Sequence, residues 1–191
     1  MNTAIAKVSL FLCTFCAVLA LQPIAIGHQG TTSVRPQAPV SQQLSFIFKR
    51  AAEVIQRESL VPLRLPTFLP DDISEKNPVY ATVRSVSRTG YDILLEFVPD
   101  CGGAYACFYA ELKGSSTPIE EETEVAKVPI TLQGGIKGYF IDFTCAANCG
   151  ESYVGWSEGG YYYSIGMKAE KMQPLVKVAN SAIASGQTQR R

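Results

Sequence analysis

Four cysteines, Cys101, Cys107, Cys145 and Cys149, fall in two close pairs, CGGAYAC and CAANC, and their type and spacing imply chemistry most directly. An even set in an exported chain reads as two disulfides. The competing chemistry is a four-thiolate zinc site, but the five residues between Cys101 and Cys107 exceed the two to four of a zinc knuckle. Disulfides are therefore expected, with no metal and no cofactor.

Acid–base chemistry would fall to carboxylates. Asp92, Glu96 and Asp142 are the candidates for the pair that glycosidases use. Alternation puts them on the solvent face of their strands, where acidic residues are expected without any catalytic role. The one histidine, His28, falls in a polar linker, which removes Ser-His-Asp and Cys-His arrangements within a folded site. Gly-x-Ser-x-Gly does not occur, and GGIKG at 134–138 lacks the spacing of a phosphate-cradling loop. No catalytic residue is expected. The acidic run Glu120-Glu121-Glu122 with Glu124 reads as a solvated loop, since calcium capture wants spaced Asp and Asn ligands with a turn glycine.

Aromatic residues crowd the C-terminal third: Tyr139, Phe140, Phe143, Tyr153, Trp156, Tyr161, Tyr162 and Tyr163. Packing within a sheet accounts for aromatics in strands. The functional reading is a partly exposed platform for a glycan, peptide or protein, with Trp156, Tyr153 and Tyr162 as the binding surface. Alternation sends Tyr161 and Tyr163 to one face with Ile165. Tyr162 goes to the other, together with either Trp156 or Tyr153.

The elements that would position these residues begin after an export signal. Lys7, an apolar run of fourteen residues from Val8 to Leu21, Gln22-Pro23 and the small residues Ala25 and Gly27 form a signal peptide over 1–27, cleaved after Gly27. The run is shorter than the ~20 residues that span a bilayer, and no lipid-attachment box surrounds Cys13 or Cys16. Without Lys7 the chain keeps sixteen Lys and Arg against seventeen Asp and Glu. That balance offers no electrostatic footprint for nucleic acid or an anionic membrane. Residues 28–40 read as a disordered linker.

Order is expected from Ser41, the N-cap of a helix whose stripe is Leu44, Ile47, Phe48, Ala51, Val54 and Ile55, with Lys49, Glu53 and Arg57 outside. The proline-rich stretch from Leu60 should lie extended across a core on Leu63, Leu65, Phe68 and Leu69. Strands follow at 79–87, 91–98, 107–113, 127–132, 137–144, 152–157 and 161–168, joined by glycine turns in an antiparallel meander. Tyr91, Ile93, Leu95 and Phe97, and likewise Tyr139, Ile141 and Phe143, should face the core. A second amphipathic helix from Met172 ends with Gly186 as C-cap, and residues 187–191 form a disordered tail. The expected fold is one α+β domain over 41–186, an antiparallel meander with an N-terminal and a C-terminal helix on one face.

Loops of a strict meander alternate between the two ends of the sheet, which places the cysteine loops at opposite ends, ~20 Å apart. Each pair must then close on itself, Cys101 with Cys107 and Cys145 with Cys149.

The stretches LPTFLPDD, GYDILLEFVPDCGGAYACFYAEL, GYFIDFTCAANCGESYVGW and GGYYYSIGMKAEKMQPLVKVANSAI resemble a family of exported bacterial, mostly cyanobacterial, proteins without an assigned activity. The resemblance covers residues 60 to 185. It implies a shared fold and export, and brings no catalytic residues. The expectation is a non-enzymatic module of the periplasm or extracellular space that binds or supports an envelope protein or glycan, with no membrane anchor once the signal is cleaved. The alternative is a carboxylate-dependent hydrolase of envelope glycans.

Overall fold

The structure, a computed structural model, describes residues 40–70, 78–99, 101–119, 126–147 and 149–188. The signal peptide, the linker up to residue 39, the run Glu120–Glu124 and residues 189–191 lie outside the described residues.

Helix α1 spans Val40–Glu58 and opens one residue before Ser41, so the expected cap is its second residue. Its stripe buries Phe48, Ala51 and Ile55, spaced at three and four residues as one helical face requires. Lys49, Glu53 and Arg57 are exposed. The extended proline segment then delivers Val61, Leu63 and Leu69 to the core, while Phe68 is left exposed. Arg64, in the middle of this apolar segment, is buried too. Its Nε donates to Glu158 Oε2 at 3.1 Å, its Nη1 donates to the Leu63 carbonyl, and its guanidinium sits 5.5 Å from the centre of the Tyr163 ring.

Seven strands follow: β1 Tyr80–Ser87, β2 Gly90–Glu96, β3 Phe108–Ser115, β4 Val128–Thr131, β5 Lys137–Ile141, β6 Glu151–Glu158 and β7 Tyr161–Lys168. They form one antiparallel sheet in the order β1-β2-β3-β7-β6-β5-β4. The chain is therefore not a strict meander. β1 to β3 are one meander, β4 lies at the far edge of the sheet, and β4 to β7 return so that β7 pairs with β3, from Ala110 opposite Met167 to Ser115 opposite Tyr162. The crossover reverses the parity of the later loops.

Helix α2 spans Met172–Thr188, so Gly186 lies inside it rather than capping it. A Cβ at this position would overlap the Arg64 guanidinium. The glycine answers to the buried arginine, not to the end of the helix.

Helix residues Phe48, Ile55, Leu175, Ala179 and Ile183 share one buried cluster with Ile93, Leu95, Leu112, Phe140, Val154, Trp156, Tyr163 and Ile165 from the strands. Ladder register puts these strand residues on one face, since Ile93 opposes Leu112, Leu112 opposes Ile165 and Val154 opposes both Ile165 and Phe140. In β5, then, Phe140 points to the cluster and Tyr139 and Ile141 point away, the reverse of the expected phase. Three consecutive apolar residues make the alternation of this short strand ambiguous, and pairing with β6 decides it. Phe97 lies beyond β2 and is exposed.

Candidate functional site on the tyrosine face of the sheet

The face opposite the buried cluster is built on a repeated cross-strand pair. Tyr139 of β5 lies directly across from Gly155 of β6, and Tyr153 of β6 from Gly166 of β7. In each case a Cβ on the glycine would fall within the tyrosine ring. The rings therefore lie over the bare backbone of the neighbouring strand instead of standing away from it. A strand glycine lacks a side chain to pack, and the ring laid over it supplies the missing contact. Tyr91 and Gly114 repeat the device on the other face.

Cations flank this surface. Lys127 Nζ lies 4.7 Å from the Tyr139 ring centre and Lys113 Nζ lies 5.9 Å from that of Tyr153, within the range where a ring face attracts an ammonium. The Tyr153 hydroxyl donates to Glu151 Oε2 at 3.0 Å. Tyr162 sits on the same face, opposite Ser157 and Ser115. At this end of the strands a cavity of about 440 Å³ is lined by Lys127, Lys137, Tyr139, Ser157, Tyr162 and, from the core side, Trp156.

Of the three expected surface residues, Tyr153 and Tyr162 are half-buried on this face, whereas Trp156 goes the other way. It is 3% exposed, stacks on Tyr163 at 5.4 Å and leaves its Nε1 buried without a hydrogen-bond partner. Tyr139 joins the platform although its expected direction was the core. The signal for it was Gly155, a strand-interior glycine two residues from Tyr153.

The carboxylates are not brought together as a hydrolase would need. Asp142 is exposed past the end of β5 and accepts a hydrogen bond from the Phe143 amide. Four strand spacings separate β5 from β2, about 19 Å along the sheet, so Asp142 has neither Asp92 nor Glu96 as a partner. Asp92 and Glu111 share Arg84 instead. Arg84 Nε donates to Asp92 Oδ2 at 2.8 Å, its Nη2 reaches both carboxylates, and Lys113 pairs with Glu111 on its other oxygen. Burial raises the Asp92 carboxyl above its ordinary range, with Arg84 only partly offsetting it. Burial pulls the Arg84 pKa down, and its hydrogen bonds and charge pairing with Asp92 and Glu111 together outweigh that and raise it overall.

Among the described residues the disulfides are Cys101–Cys107 and Cys145–Cys149. Their loops share one end of the sheet, not opposite ends, because the crossover reverses the loop order. The first loop folds back over the tyrosine face. Gly103 there donates to Glu96 Oε1 at 2.6 Å and lies against Leu94, while Lys168 Nζ donates to the Tyr105 carbonyl at 3.0 Å. Glu96 is thus buried beneath the loop and not presented to solvent. No family model matches the chain, and neither a curated protein nor a solved structure matches it.

Proposed function

We propose that this chain is an exported, non-enzymatic binding module of the cell envelope, and that it holds a glycan on the tyrosine face. One observation carries the reading: Tyr139 and Tyr153 lie over Gly155 and Gly166 on adjacent strands. Their rings make a low surface with hydroxyls at the edge, the form in which aromatic residues contact the apolar face of a sugar ring while hydrogen-bonding its rim. Tyr162, Ser157 and the two lysines around the cavity add polar groups that would orient such a ligand.

In this reading both helices cover the opposite face and the first cysteine loop covers only the Glu96 and Lys168 end of this one, so the half-buried tyrosines keep part of their rings toward solvent. The shared cluster of helix and strand residues supports that arrangement. Export is supported by the signal-like first 27 residues and by the two disulfides. Among the described residues no helix is long and apolar enough to cross a membrane. The resemblance to exported bacterial proteins agrees with this assignment.

Calorimetric titration of the mature domain with soluble envelope-glycan fragments tests it. Binding is expected, and Tyr153→Ala with Tyr139→Ala should abolish it while circular dichroism stays native. Absence of binding, or binding indifferent to both substitutions, would reject the platform. Cleavage of the fragments during the titration would favour the hydrolase.

A further inference from the structure

Beneath the first cysteine loop is a donor set that the binding reading does not use. Glu96 stands at the end of β2 and is fully buried, 0% exposed. Its Oε1 accepts from the Gly103 amide, but its Oε2 is buried with no hydrogen-bond partner. A carboxylate oxygen in that position costs free energy unless something compensates it. Sulfurs lie beside this carboxylate: one oxygen of Glu96 and the Sγ atoms of Cys101 and Cys107 are all within 4.8 Å of one another. Cys101 is partly exposed, so a reagent in solution can reach the bond through its sulfur. Among the described residues, Cys145 and Cys149 have no such third donor.

We propose that Glu96, Cys101 and Cys107 form a redox-gated site for a thiophilic divalent cation such as zinc. In the disulfide form the sulfurs are bonded to each other and have no thiolate to offer. An external dithiol opens the bond: its two sulfurs become a disulfide, and Cys101 and Cys107 each take up one hydrogen as thiols. The metal ion then displaces the two thiol protons to the buffer and binds both thiolates and Glu96 Oε2.

The geometry suits this. Thiolates held tetrahedrally at ~2.3 Å from zinc are ~3.8 Å apart, whereas a disulfide holds its sulfurs at ~2.0 Å. The cysteine side chains need to part by only ~2 Å, and their Cα atoms, 6.5 Å apart, already leave room. Three protein donors leave the fourth position to water or an incoming group. Gly103 keeps Glu96 aimed through Oε1, the role an outer-shell hydrogen bond plays at metal sites.

The test uses the mature protein carrying Cys145→Ser and Cys149→Ser, so that one pair of thiols remains, titrated with Co²⁺ before and after reduction by a dithiol that is then removed. The reduced protein should bind one Co²⁺ and develop thiolate-to-cobalt charge-transfer absorption, and the oxidised protein should do neither. Adding Glu96→Gln should weaken binding by more than about tenfold, since even outer-shell partners cost 10–100-fold. Adding Cys107→Ser, which leaves Glu96 untouched, should remove the absorption. The proposal is overturned by a reduced protein that binds no Co²⁺, by equal affinity in the Glu96→Gln variant, or by equal binding in the oxidised form. Collapse of the circular dichroism spectrum on reduction overturns it too, because the site needs the β2–β3 hairpin in place.

Discussion

The hydroxyl of Tyr105 donates to the backbone carbonyl of Cys149, so a residue inside one disulfide loop is tied to a cysteine of the other. Distance therefore does not prevent exchange between the two pairs, and local closure has to carry the connectivity. Trypsin would release residues 89–113 and 138–168 as separate peptides, each holding one cysteine pair. Without reduction, each should be lighter than its reduced form by two hydrogens. A species joining the two peptides would contradict the pairing.

Tyr163 and Tyr162 are adjacent in sequence and differ in what they touch. Tyr163 is 2% exposed, and its hydroxyl donates to the Pro62 carbonyl at 3.1 Å. Truncating it to alanine should cost about 3–5 kcal/mol. Tyr162→Ala, on the half-buried face, should cost less than ~1 kcal/mol. Chemical denaturation of both variants measures the difference, and equal midpoint shifts would refute the assignment of faces.

Gly186→Ala should destabilise the protein, although alanine in a helix is ordinarily favoured over glycine by about 1 kcal/mol. The added Cβ would overlap the Arg64 guanidinium, which is pinned by Glu158 and by the Tyr163 ring. Replacing Arg64 by Met in the Gly186→Ala background should recover part of the loss. Additive effects of the two substitutions in thermal melts would show that the residues do not meet.

Asp92 makes stability fall as pH rises. Burial lifts its carboxyl above the ordinary range, so the native state holds this proton more tightly than the unfolded chain does. Its contribution is complete below the unfolded value and is lost as pH climbs through the higher native one. In melts across the acidic range, Asp92→Asn should gain stability relative to the parent as pH increases. A parent that gains on the variant over that window would reverse the sign.

Much of the fold was legible because each strand carries its own alternation and each hairpin its own glycines, as in β6 and β7 with Gly159-Gly160 between them. The crossover was not. Nothing local in the connection after Ser115 states which edge of the sheet the next strand joins, so a strict meander places the cysteine loops at the wrong ends. The platform was half legible. Tyr162 follows from alternation, which leaves Tyr153 and Trp156 as alternatives for the same face, and the laying of Tyr139 on Gly155 depends on the register between two strands, which no single segment contains. Arg64 carries no local sign of burial, because a charged residue ordinarily marks the surface. Its burial needs Glu158 and Gly186, both distant in sequence.

The β3–β7 seam also sets the order of assembly. Every other pairing in the sheet joins consecutive strands and can form as a hairpin closed by a short connection. β3 and β7 must wait for the whole β4–β5–β6 segment to be drawn in, at a larger entropic cost of closure. Contacts that span so much chain slow folding. The chain would assemble as two local meanders that dock late along one line, and residues on that line, such as Leu112 and Ile165, would govern the rate at which the halves become one sheet.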